Sequence, residues 1–112
     1  MRRRKINQMK SIIKGEISDI ENNPDNLDYK LLAINIKYVY NQIDKVSYQE
    51  GDDIYNIELS QSSSSESSDD NYKNLLWALD SIEDAMNYCE QKDNINMQDS
   101  LKIALGFLDF LV

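Results

Sequence analysis

Apolar residues recur at helical spacing along most of this chain, in four separate blocks. In the first, Ile6, Met9, Ile13, Ile17 and Ile20 fall three or four residues apart, which predicts an amphipathic helix from about Arg4 to Asn22. The stretch NNPDN ends it, because Pro24 disfavours helical geometry at Asn23, and Asp25 or Asn26 is placed to cap the next helix. The second block runs from about Leu27 to Val46. Here Leu32, Ile36, Val39, Ile43 and Val46 form one stripe, and Leu27, Leu31, Ile34 and Tyr38 form another. Apolar residues on two faces predict a helix packed on both sides, and so a central one.

Between Val46 and Leu59 two readings stand. Tyr55, Ile57 and Leu59 alternate with Asn56 and Glu58, the period-two pattern of a half-buried strand, which allows a β-hairpin across Glu50 to Asp53. The other reading extends the second helix and then turns into a loop. An isolated two-stranded hairpin is marginal in water, so a hairpin here has to pack on the helices.

The third block is the most regular. Tyr72, Leu75, Leu79, Ile82, Met86 and Cys89 form a heptad-like seam, which Leu76, Trp77, Ala78 and Ala85 broaden, and Asp69 or Asp70 is placed to cap its start. A turn around QKDN leads to a last helix, about Asn96 to Leu111, with Asn96 as its cap and Met97, Leu101, Ala104, Leu105, Leu108 and Leu111 on one face. Phe107, Phe110 and Val112 fall outside that face. They are either buried centrally or offered to another chain. The fold expected is an all-α, compact bundle of three to four short helices forming a single small domain over 1–112, with a basic arm at 1–5 and a flexible acidic Ser-rich loop at 60–70.

Composition narrows the chemistry. The chain has no histidine, one cysteine and three isolated glycines, so Ser-His and Cys-His nucleophiles, an internal disulfide, multi-Cys zinc sites and phosphate-cradling loops are all excluded. Cys89 continues an apolar stripe and is read as a small buried hydrophobe. QEGDDIYNIE gathers carboxylates but lacks the order of a calcium loop, and Asp80 with Glu83 or Asp84 has only a helix surface to work on. The sequence therefore predicts no catalytic residue, no metal and no cofactor. The longest nearly apolar run, Ile103 to Val112, is about half of what a bilayer span needs, and no secretion signal is read at MRRRK. The expected location is the cytoplasm, or the interior of a host cell if the chain is viral.

Charge then suggests the partner. Residues 1–14 carry +6 and the remainder −14, for a net −8. Acid density peaks from Asp44 to Asp70, where Glu50, Asp52, Asp53, Glu58, Glu66, Asp69 and Asp70 make a surface that repels nucleic acid and membranes and attracts basic proteins. Arg2, Arg3, Arg4 and Lys5 are a solvated end on the local reading and an anion contact on the functional one. In the Ser-rich run, Ser63 and Ser67 each precede an acid by three residues, as acidophilic kinases of eukaryotic cells require, and each phosphate adds about −1.5 to −2 of charge. Richness in Asn, Ile, Lys, Asp and Tyr points to an AT-rich coding genome, such as that of a low-GC bacterium, its phage or a large DNA virus.

Two functions are expected from this reading. One is a non-catalytic acidic module, of the inhibitor, immunity or viral-antagonist kind, that docks on a basic, nucleic-acid-binding protein. The alternative is a structural subunit that homo-oligomerises, or joins a larger complex, through its apolar C-terminal helix.

Overall fold

The computed structural model describes the backbone of residues 3–60 and 66–111, and the side chains of 4–48 and 71–111. Four helices follow one another: α1 Arg3–Asn22, α2 Tyr29–Ser60, α3 Glu66–Glu90 and α4 Asn94–Asp109. Among the described residues there is no strand.

α2 runs through the whole of 46–59, so the helix extension is the reading found, and it is longer than the sequence pattern suggests. The physical reason is cooperativity: once five turns exist, each further residue adds a hydrogen bond at small cost, and Gly51 weakens this by only about 1 kcal/mol. α3 likewise begins earlier than expected, at Glu66, so Asp69 and Asp70 lie inside its first turns and not at its cap. Of the loop expected at 60–70, residues 66–70 are helical and 61–65 lie outside the described residues.

The helices form an up-down-up-down ring in which α1 touches α2 and α4, and α3 touches the same two. Two partly exposed ion pairs mark the antiparallel register of α1 on α4. Lys10 Nζ meets Asp109 Oδ1 at 2.6 Å at one end, and Lys102 Nζ meets Glu21 Oε1 at 3.4 Å at the other. No helix is central, contrary to the expectation for α2, whose second stripe of Leu31, Ile34 and Tyr38 is exposed. At about 48 Å, by the helical rise, α2 sets most of the 54 Å long axis, and it continues with α3 beyond the shorter α1 and α4.

The core is a stack of heptad positions: Ile6, Met9, Ile13 and Ile20 from α1; Leu32, Ile36, Val39, Ile43 and Val46 from α2; Leu75, Ala78, Ile82, Ala85 and Cys89 from α3; Met97, Leu101, Ala104 and Leu108 from α4. The alanines of α3 and α4 leave room for those two helices to approach closely.

Helix ends are set by aspartates other than those expected. Asp28, in place of Asp25 or Asn26, starts α2, its Oδ1 accepting the Leu31 N–H at 3.2 Å. Asp93, in place of Asn96, caps α4: its Oδ1 accepts the Asn96 N–H at 3.3 Å and its Oδ2 the Asn96 amide at 2.7 Å. In both places a neighbouring Asx residue is close enough in sequence to be mistaken for the cap. α3 ends in a Schellman turn, with Asp93 N–H on Tyr88 O at 2.9 Å and Lys92 N–H on Cys89 O at 3.1 Å. Lys92 occupies its left-handed position, with φ 57°.

Candidate functional site

The outer face of α3 and α4 carries an aromatic pair. Trp77, half exposed, meets Phe107 with ring centroids 5.5 Å apart and planes inclined at 45°, a geometry that aromatic quadrupoles favour. Ile103 and Phe110 lie four residues before and three after Phe107, on the same side of α4, and Phe110 is 70% exposed. This apolar surface arises because α4 has more apolar positions than one core-facing stripe can use. Met97, Leu101, Ala104 and Leu108 fill the interior, Phe107 is half-buried at its edge, and Ile103 and Phe110 are left to the outside.

Charged residues border the patch by helical spacing. Asp80 and Asp84 are three and seven residues beyond Trp77, Lys73 is four before it, and Asp99 is four before Ile103. The patch is thus an apolar centre with charged, mostly acidic neighbours.

A second feature lies inside the bundle. Glu16 is 3% exposed and occupies a core position of α1, completing the 3-4-3-4 series Ile6, Met9, Ile13, Glu16, Ile20. Ile17, expected in that series, is only partly buried beside it. Neither Glu16 carboxyl oxygen has a hydrogen-bond partner. Burial, helped by the Asp19 carboxylate one turn on, pushes its pKa up to about 8. At neutral pH the group is therefore mainly the uncharged acid.

Cys89 shares this environment. Its Sγ approaches Tyr29 O at 3.5 Å, and burial first, then the carboxylates of Glu16 and Glu90, raise its pKa. It is a protonated core thiol, not a nucleophile.

A hollow of about 360 Å³ lies between the end of α1 and the start of α2, lined by Asp19, Asn23, Asn26, Leu27, Asp28, Leu31, Leu32 and Asn35. Among the described residues no cluster of three metal-ligating side chains occurs, and no helix is long and apolar enough to cross a membrane.

Of the residues singled out in the sequence, Phe107 and Phe110 belong to the aromatic surface, and Arg4 and Lys5 stand in the first turns of α1. The side chains of Arg3, Glu50, Asp52, Asp53, Glu58, Glu66, Ser67, Asp69 and Asp70 lie outside the described set, as do residues Arg2, Ser63 and Val112 altogether. Glu16 and the outward side of Trp77 are not anticipated by the sequence reading. The regular 3-4-3-4 spacing of α1 is the one signal for Glu16. Compared with protein families, with curated proteins and with solved structures, the chain matches none.

Proposed function

We propose that this protein is a non-catalytic binding module that docks on a basic surface of another protein through the outer face of α3 and α4. The observation that carries the reading is the half-exposed Trp77 packed against the partly buried Phe107, continued by the exposed Ile103 and Phe110. Large aromatic anchors surrounded by polar groups dominate the binding energy of protein interfaces, and a solvent-facing tryptophan gives little to the fold itself.

Charge supports the nature of the partner. Residues 71–111 carry seven acids against three lysines, and the acid-rich stretch 44–70 adds to the same field. Such a surface steers basic proteins into encounter and repels nucleic acid. A basic patch that itself binds nucleic acid is the natural target, and masking it is the mode of action proposed.

The test is a paired capture from the cells in which the protein occurs, using the wild-type chain and the W77A/F110S double variant, with elution by rising salt. A basic protein held by the wild type, released between about 0.05 and 0.5 M salt as screening shortens the electrostatic range, and lost from the variant supports the proposal. Equal retention by the two chains, or release indifferent to salt, overturns it.

A further inference from the structure

α2 carries a second heptad series on the side away from the core. Leu31, Ile34, Tyr38, Asn41, Lys45 and Tyr48 are spaced 3-4-3-4-3 and all are exposed, Ile34 by 64% and Tyr48 by 72%. Four of the six are apolar or aromatic, the make-up of a short coiled-coil seam interrupted by Asn41 and Lys45, and among the described residues no helix of the same chain covers it. From it we infer that α2 is the dimerisation helix of this protein: two copies pair antiparallel through this seam, related by a two-fold axis between Tyr38 and Asn41.

The residues are self-complementary in that arrangement. Leu31 faces Tyr48 of the second copy, Ile34 faces Lys45 and Tyr38 faces Asn41, each contact occurring twice by symmetry. The stem of Lys45 can cover Ile34 while its ammonium reaches water, and the Asn41 amide can bond the Tyr38 hydroxyl. Lys37 and Asp44 flank the seam on one side, seven residues apart and both exposed, so Lys37 of each copy meets Asp44 of the other. The opposite flank holds Asn35 and Gln42 and carries no charge to oppose the pairing. A parallel pair would instead set Lys45 against Lys45 and leave Lys37 without an acid, which disfavours it.

The hollow supplies the anchor. Leu31 lines it, together with Leu27, Leu32, Asn23, Asn35 and the carboxylates of Asp19 and Asp28. The antiparallel register brings Tyr48 of the second copy to Leu31. Its phenol ring thus enters a recess of about 360 Å³ in which Leu27, Leu31 and Leu32 face the ring and the Asn and Asp side chains are within reach of its hydroxyl. The dimer so formed leaves the Trp77–Phe107 surface free, and the inference is independent of the function proposed for that surface.

The experiment is sedimentation of the full chain over a concentration series. A seam of five turns is shorter than a permanent dimer needs, so the expected result is reversible dimerisation with a Kd of about 10–100 μM. I34E/Y48E, which alters only exposed positions, should remain helical by circular dichroism and sediment as a monomer. K37E should weaken the dimer roughly five- to fifty-fold, and K37E/D44K should restore it to within about threefold of wild type, because the swap re-forms both ion pairs. A wild-type chain that stays monomeric at about 500 μM overturns the inference, as does a dimer indifferent to I34E/Y48E or a charge swap that fails to restore pairing.

Discussion

The Tyr29 hydroxyl donates to Asn94 Oδ1 at 2.6 Å, joining the first residue of α2 to the first residue of α4. Asn94 in turn donates through Nδ2 to Pro24 O at 3.1 Å, so one side chain ties the α1–α2 connection to the α3–α4 connection. These contacts span 65 and 70 residues of sequence and close the end of the bundle where both short connections lie. Y29F removes the hydroxyl and keeps the ring. It is expected to lower unfolding free energy by roughly 1 kcal/mol, and N94A by more, since two bonds are lost and a part-buried phenol is left unpaired. Urea titration of the two variants checks this, and equal losses would mean that the Pro24 contact contributes nothing.

Lys92 sets two effects against each other. Its left-handed backbone, φ 57°, costs about 1 kcal/mol relative to glycine, while its ammonium stands 5.7 Å from the centre of the Tyr29 ring, worth about 0.5–1 kcal/mol at an exposed site. K92G is therefore expected to be within about 0.5 kcal/mol of wild type, because relief of the backbone offsets the lost contact. K92A keeps the strain and loses the contact, and should melt below both. If K92A and K92G melt together, the left-handed conformation is not maintained in solution.

These end structures are the least legible part of the sequence. The four helical blocks can be read because each repeats at three and four residues. The caps cannot be fixed, because NNPDNLD and KDNIN each offer several Asx residues within one turn, and only backbone geometry chooses Asp28 and Asp93. The alternation at Tyr55, Ile57 and Leu59 resembles a strand, but three positions are too few to outweigh propagation of a helix already formed. Hydrophobicity sorts residues by type, so it selects Ile17 over Glu16 where both lie within a helical step of Ile13. Phe107 and Phe110 stand out as apolar residues off the core stripe. Trp77 does not, since spacing shows which residues share a face and not whether another helix covers it.

The aromatic surface predicts a dissociation of stability from binding. W77A and F110S remove exposed area and should each leave unfolding free energy within about 1 kcal/mol of wild type, whereas F107A, half-buried against the core, should cost about 2–3 kcal/mol. Trp77 is the single tryptophan, so its emission reports this surface alone. The wild-type spectrum should be that of a partly hydrated indole and should shift to shorter wavelength when a partner covers it. A loss of more than about 3 kcal/mol in W77A would place Trp77 among the structural residues and remove it from the proposed interface.

Glu16 makes stability depend on pH in a direction opposite to that of an ordinary paired carboxylate. Its pKa is raised from the ordinary value of 4.5 to about 8 in the fold, so below pH 4.5 it is protonated in both folded and unfolded chains and imposes no penalty. Between 4.5 and about 8 only the unfolded chain ionises, and stability falls as pH rises; above about 8 both forms are charged and the loss is complete. The whole shift corresponds to a loss of order 3–5 kcal/mol. Urea titrations of the wild type and E16L at pH 5 and 8.5 should therefore diverge by several kcal/mol, with E16L the more stable at the higher pH. Cys89 offers a second readout, since its thiol is buried in the same core and near enough to Glu16 to feel its charge. Its labelling, corrected for the thiolate fraction, should speed up between about pH 5 and 8 in the wild type and level off above, and should stay flat in E16L. Parallel stability curves for the two chains would mean that Glu16 reaches water or a partner in solution.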